Sequence, residues 1–393
     1  MMERRKNLND KFGFAVVMKY NLLKDIAEIN MGQSPDSLSY NNVKRGLPFY
    51  QGNADFGELY PIAKTWCDAP KKTAKKNDIL ISVRAPIGAI NYTSELCCIG
   101  RGLAAITVED DIDRNYIYYF LKAINSELIN QGTGSTFKAI GRPVLEMLKV
   151  PAISEKQKIL IIKSMDFLVD IIKLRKKELI LLDELIKARF IEMFGEPVNN
   201  DKGWVKDSVE RLCREIYGGG TPSKSHPEYY EGGEIPWITS KDMKTDILID
   251  SQIHINEDGV ANSTARIVPK NSVIMVIRSG ILKHTLPVAI NAVPVTVNQD
   301  LKVFVAGNRI VTKFLAYQFK MMERDILSGV RAVTADNIEL DALKRRELIV
   351  PPIELQQEFA DFVEQVDKSR EEVKKSLEKT QQLYDSLMQE YFG

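Results

Sequence analysis

A chain of 393 residues is long enough for two or three domains that each bury a core. With 54 Lys and Arg against 53 Asp and Glu its formal charge is +1, which excludes a global field drawing it to nucleic acid or membrane; any such binding rests on local patches or is shared with a partner. No run of 18 apolar residues occurs, and Cys67, Cys97, Cys98 and Cys213 form no C-x-x-C pair, so the expectation is a cytoplasmic protein with buried free thiols, no metal and no membrane.

The start, "MMERRKNLND", is charged and lacks the apolar stretch of a secretion signal, and residues 1–18 form an extension with no evident role. A mixed segment then runs to residue 150. It holds "EINMGQSP" (28–35), "LPFY" (47–50), the continuous apolar run of "KKNDILISVR" (75–84), which reads as a buried strand, and the hydroxyl-rich loop "GTGSTFK" (132–138). Over 151–197 the pattern changes. Ile161, Met165, Leu168, Ile172, Leu179, Leu182, Ile186 and Met193 recur at alternating steps of four and three, interrupted by Arg175 and Arg189. A period of 3.5 held over more than four heptads is that of a coiled coil, and Pro151, Gly195 and Pro197 bracket the helix.

The sequence then repeats. "EIYGGGTP" (215–222) lies over "EINMGQSP", "IPWI" (235–238) over "LPFY", "PKNSVIMVIR" (269–278) over "KKNDILISVR", and "LIVPPIELQQEFA" (348–360) over "LKVPAISEKQKIL" (148–160). A second mixed segment thus spans 198–350, and a second helix spans 351–393 with Phe359, Val363, Val366, Val373, Leu377, Tyr384, Leu387 and Tyr391 on its seam, interrupted by Arg370 and Thr380. Roughly 40 helical residues make a rod of about 60 Å, and the domain between the rods lets the chain turn back, so the two helices are expected to pair antiparallel. The fold class is α/β (α+β): two tandem domains and two long helices with pseudo-twofold organisation.

Catalytic signatures are missing. "GGGTPSKS" (218–225) is not a phosphate-binding P-loop, because no Gly-Lys-Ser/Thr follows and Pro222 removes a backbone donor. His226, His254 and His284 are isolated, "GTGS" is no nucleophile elbow, and the Asn-Pro-Pro-aromatic loop of amino-methyltransferases is absent. Duplicated domains on a rigid spacer suit a reader of a bipartite DNA site, whose half-site spacing mirrors the spacing of the reading modules. The rivals are a coiled-coil adaptor that binds protein without DNA specificity, and a single-chain DNA methyltransferase.

Taken together and in order, "GGGTPSKSHPEYYEGGEIPWITSKDM" (218–243), "GTGSTFKAIGRPVLEMLKVPAISEKQKIL" (132–160), "GVRAVTADNIELDALKRRELIVPPIELQQEF" (329–359) and "MFGEPVNNDKGW" (193–204) resemble the specificity subunits of type I restriction-modification enzymes. The resemblance covers essentially the whole chain. It implies two target-recognition domains separated by paired antiparallel helices, each domain reading one half of a split sequence in double-stranded DNA. It further implies no catalysis and no cofactor in this chain: S-adenosylmethionine belongs to two modification subunits docked on the helical spacer, and ATP with Mg2+ to restriction subunits. The first copy departs from the pattern at its opening loop, where "MGQSPDSLSY" lacks both the glycine run and "HPEYY".

Major-groove reading uses Arg or Lys for guanine, Asn or Gln for adenine and hydroxyls for either, while phosphates take Lys, Arg, hydroxyls and backbone N–H groups. Candidate contacts in the first domain are Gln33, Ser34, Gln51, Asn53, Arg84, Arg101, Thr133, Ser135, Thr136 and Lys138. In the second they are Gly219, Gly220, Thr221, Ser223, Lys224, Thr239, Ser240, Lys241, Arg278, Lys283, Gln299, Arg331 and Thr334. The glycines are expected to bring backbone close to the sugar-phosphate rail. Arg84 and Arg278 end equivalent strands, and a shared phosphate or base contact, an exposed strand-end charge or a buried ion pair would each explain them. Phe49 and Trp237 each follow proline in a strand-like run and read as core; sequence preference is expected chiefly from His226 to Glu231.

Overall fold

A computed structural model describes residues 19–133, 138–329, 331, 332 and 336–393. It divides into two compact units, one formed by the chain up to Lys176 with Lys375–Gly393, the other by Lys177–Lys374. Each unit therefore holds one half of each long helix, Glu155–Phe194 and Ile353–Phe392.

In the first unit the central sheet is antiparallel in the order Glu28–Met31, Leu103–Thr107, Ile79–Ser82, Ile90–Tyr92. The strand "ILIS" is buried along its whole length, as its unbroken apolar run predicts. Helix Asp111–Ala123 is capped by Asp110, whose side chain accepts from the amides of Ile112 and Asp113. Its Tyr116, Ile117 and Phe120 share one core with Ile79, Ile81 and Ile106 of the sheet and with Ile161, Met165, Leu168, Met388 and Phe392 of the long helices. A smaller sheet sits beside it, where Leu47–Tyr50 runs parallel to Cys97–Ile99 with Phe49 opposite Cys98.

The second unit repeats the plan. Its sheet runs Cys213–Gly218, Leu301–Ala306, Val273–Val276, Val288–Asn291, Ile247–Leu248, and its smaller sheet sets Ile235–Ile238 parallel to Thr296–Val297. Phe49 and Trp237 are both buried, as expected of core positions. The helix halves run antiparallel here: Asp183 pairs with Arg370 at 2.5 Å and Arg189 with Glu358 at 2.8 Å, so numbering rises along one helix as it falls along the other.

The seam departs from the heptad pattern at one end. Ile186 is buried as expected, but Phe190 and Phe194 are fully buried where Met193 is only partly so. Steps of four turn this end of the helix toward its globular domain, where Phe190 stacks on Phe314 at 5.6 Å and meets Phe359 edge-on at 5.4 Å.

All four cysteines are free and buried. Burial pushes the thiols of Cys97, Cys98 and Cys213 up to about 12, so they stay protonated and inert at neutral pH. Under native conditions a thiol-exchange reagent is expected to label these three far more slowly than in denaturant. Fast native labelling at any of them, read by peptide mapping, would contradict the packing described. Among the described residues no helix is long and apolar enough to cross a membrane, and no cluster of His, Cys, Asp and Glu could hold a metal ion.

Candidate nucleic-acid interface

Both units build the same structure at one end of the central sheet, where the strand carrying the opening loop ends and its neighbour begins. In the first unit the Gly32 amide donates to the carbonyl of Leu103 and the Gln33 amide to that of Ile99, while the Ser34 hydroxyl accepts from the Arg101 amide at 3.3 Å. In the second unit the Gly220 amide donates to the carbonyl of Val297, and the Thr221 hydroxyl donates to the Gln299 side chain at 2.5 Å. The shared Gly, hydroxyl and Pro thus form a turn tied to the start of the next strand in each copy.

Both glycines pack closely against the protein itself. A Cβ at Gly219 would lie 1.7 Å from the Val297 carbonyl oxygen, and one at Gly220 would lie 2.1 Å from the Thr264 hydroxyl. Gly220 is buried, and its carbonyl accepts the Trp237 indole N–H at 3.0 Å. The close approach that requires glycine is to the protein's own chain, and both the amide and the carbonyl of Gly220 are taken within the protein.

From this turn a ladder of backbone hydrogen bonds crosses the strand end. In the first unit Val83 donates to Gly102, Ile140 to Val83, and Ala85 to Lys138, while Thr133 and Ala139 exchange both bonds. Arg101, Arg84, Lys138 and Thr133 therefore lie on successive rungs, and all four are exposed. The second unit repeats the ladder: Ile277 and Arg278 donate to the Asp300 carbonyl, Ile338 donates to Ile277, and Arg331 pairs with Asn337. Ser135, Thr136 and Thr334 lie outside the described residues.

The copies use their strand-end arginines differently. Arg278 places Nε and Nη2 each 2.6 Å from one carboxylate oxygen of Asp300, whereas Arg84 is exposed and has no side-chain partner among the described residues. Asp300 is held ready, its amide donating to the Asn298 side chain and its second oxygen accepting from the Asn298 amide group. Of the explanations open for these arginines, an ion pair applies to Arg278, and Arg84 is an exposed strand-end charge with no side-chain partner among the described residues.

The next segment forms another shared turn. The amides of Gln51 and Gly52 donate to Asp55, placing exposed Gln51 and half-buried Asn53 beside it. Correspondingly, the Thr239 amide and hydroxyl both donate to Asp242, at 2.8 and 2.7 Å. Thr239 is thus spent on the turn, as Thr221 is on Gln299, while Lys241 stays exposed and Ser240 half-buried. Exposed Lys283 lies on the short turn Gly280–Lys283 after the Arg278 strand.

"HPEYY" is held by contacts of its own. Pro227–Tyr229 make one helical turn, Tyr230 donates its hydroxyl to the Pro222 carbonyl at 2.6 Å, and the His226 ring stacks on Tyr229 with centroids 5.0 Å apart. A hydrogen bond from His226 holds the Glu228 carboxyl below its usual range. Ser223, Lys224 and His226 are exposed along this edge. Sequence reasoning missed Asn298, Asp300 and Lys302. The signal for Lys302 was present, since "LKVFV" (301–305) overlies "LAAIT" (103–107) and sets a lysine where the first copy has Ala104.

Comparison with known proteins follows the same tandem division. The model for the type I restriction modification DNA specificity domain matches residues 18–184 and again 201–382. Over 152 residues, 38% of this chain and 36% of the relative, the chain is 40% identical to a Methanocaldococcus jannaschii protein assigned as the type I restriction enzyme specificity subunit MjaX. Over 260 residues it is 28% identical to a type I restriction enzyme specificity subunit of Escherichia coli, covering 64% of this chain and 63% of that one. The chain thus spans from about a third to under two thirds of the length of these two relatives. In fold it is similar to the S subunit of a type I restriction-modification system from M. genitalium, with a TM-score of 0.60 at 14% identity, covering 97% of this chain and 98% of the other.

Proposed function

This chain belongs to the type I restriction-modification DNA specificity family, and from that premise we propose that it is a non-catalytic subunit reading a bipartite sequence in double-stranded DNA, one half-site per domain. The observation that carries this reading is the duplicated ladder. Two copies of one scaffold present different chemistry at matched positions: Gln33 and Arg101 of the first stand where the second has Gly220 and Gln299, and the shared strand-end arginine is without a side-chain partner among the described residues at Arg84 but bound to Asp300 at Arg278. A shared frame with exchanged side chains suits two readers of unrelated half-sites.

In this reading adenine methylation and cleavage belong to partners. Two modification subunits bearing S-adenosylmethionine dock on the long helices, and restriction subunits using ATP and Mg2+ join them; this chain holds no cofactor. The first long helix supports a docking role. In the first unit Leu160, Phe167 and Leu174 are each about two-thirds exposed, at 64%, 66% and 64%, and their spacing of seven puts them on one face. In the second unit the same helix exposes Ile180, Leu181 and Leu185.

The test is retention of DNA by the full chain reconstituted with its modification subunits. A discrete sequence retained over random competitor is the expected result. Protein–protein capture with no DNA preference would favour the adaptor instead, and methyl transfer by the purified chain alone would overturn the non-catalytic assignment. A second result is expected from modularity. Replacing residues 198–350 with the corresponding domain of another family member should alter one half of the methylated motif and leave the other; a change in both halves would contradict one domain per half-site.

A further inference from the structure

Two cations meet at the end of the second unit's central sheet, and Asp300 serves one of them. Its carboxylate is taken by Arg278. Lys302, on the neighbouring strand, stands opposite Gly218 on one side and Met275 on the other. Its side chain runs under the start of the glycine-rich loop, so closely that a Cβ on Gly218 would lie 2.3 Å from Nζ. Lys302 is half-buried and makes no ion pair or hydrogen bond with a described residue.

Such a placement works against stability. Burial, with the charge of Arg278 adding to it and that of Asp300 opposing, holds the Lys302 ammonium below the ordinary lysine range. A cation partly stripped of water, with no ion pair or hydrogen bond of its own among the described residues, costs free energy that an apolar side chain would not. The sheet itself has no need of a lysine here. In the first unit the same register position, opposite Met31 and Ile81, is Ala104, fully buried in an otherwise equivalent strand. Gly218 also fits this reading, because any side chain there would occupy the space of the ammonium.

We propose that Lys302 is a DNA-backbone contact of the second domain, its ammonium taking a phosphate oxygen of duplex DNA lying across the end of the sheet. A single ammonium beneath a loop offers one point charge and no paired donors for a base edge, which favours phosphate over base reading. The proposal rests on the DNA-binding function argued above. It leaves Arg278 locked to Asp300, its charge balanced there, and makes Lys302 the uncommitted cation at this sheet end.

The experiment is DNA binding by the full chain with its modification subunits, measured by anisotropy against KCl concentration on both the retained sequence and a random duplex. Lys302→Met should flatten the log–log salt dependence by about 0.9 and weaken binding by about tenfold at 0.1 M salt, equally on both duplexes. Lys302→Arg should keep the wild-type slope. Because the methionine relieves an uncompensated burial, its thermal midpoint should be no lower than wild type. An unchanged slope in Lys302→Met, a lowered midpoint, or a loss confined to the retained sequence would overturn the proposal. Inorganic phosphate replacing chloride at equal ionic strength should leave binding unchanged; strong competition abolished by Lys302→Met would mark a free-anion site and overturn it as well. Failure of the wild-type complex to bind either duplex would sink the DNA reading itself, whatever the variants do.

Discussion

Phe359→Ala is expected to destabilise the second unit by about 3–5 kcal/mol. Phe359 is fully buried and meets Phe190, Phe194 and Tyr317 edge-on, with centroids 5.4, 5.7 and 5.5 Å away. Those rings come from the first long helix and from helix Thr312–Met321, while Phe359 sits on the second long helix. One truncation therefore opens a cavity where three elements meet, and the rigid neighbours leave little room for collapse. Urea unfolding followed by tryptophan fluorescence should show the transition that reports Trp204 and Trp237 moving to lower denaturant. A shift worth under about 1 kcal/mol would mean that the aromatic cluster does not join helices to domain as described.

Arg370→Met should cost a similar amount for a different reason. Arg370 interrupts the apolar seam, with 12% of its side chain exposed, and binds Asp367 on its own helix and Asp183 on the other. Lys313 approaches Asp367 only to 3.9 Å. Removing the guanidinium strands a carboxylate that is itself largely buried, and breaking a buried pair in this way costs about 3–5 kcal/mol. Asp183 is 59% exposed on its side chain, so Asp183→Ala should cost about 0–1 kcal/mol. The double variant Arg370→Met with Asp367→Leu should recover most of the loss, because apolar replacement of a whole buried pair is often neutral or better. Equal costs for Arg370→Met and Asp183→Ala, or no recovery in the double variant, would contradict the picture of a charge held in the seam by its partners.

How far the sequence carries the structure depends on the range of the interaction involved. Strands such as "DILISVRA" and "SVIMVIRSG" announce themselves, because complete burial needs an unbroken apolar run, and the repeat places Arg84 over Arg278 without further help. The opening turn was also legible, since Gly, hydroxyl and Pro recur in "MGQSP" and "GGGTP". Its partners were not. The Thr221–Gln299 bond spans 78 residues and the Arg278–Asp300 pair spans 22, across insertions that shift the repeat from one segment to the next. A glycine run carries two meanings that look alike in one dimension. Close approach to a ligand and close approach to a neighbouring strand both exclude Cβ, and only the position of Val297 decides for Gly219. Heptad reasoning likewise found the helices but not their ends, where Phe190 and Phe194 leave the seam to follow the domain core. Lys302 was hidden for a related reason. In a strand alternating toward a core it reads as a solvated charge, until the register places Gly218 above it.

The central claim is that two equivalent ladders, carrying different side chains, read two halves of one DNA site. Mapping methylated adenines across the source genome, with this gene intact and deleted, tests it most directly. The account predicts that deletion erases methylation from one motif made of two short defined blocks separated by unspecified bases. Loss of a single continuous motif, or an unchanged methylation pattern, would contradict it.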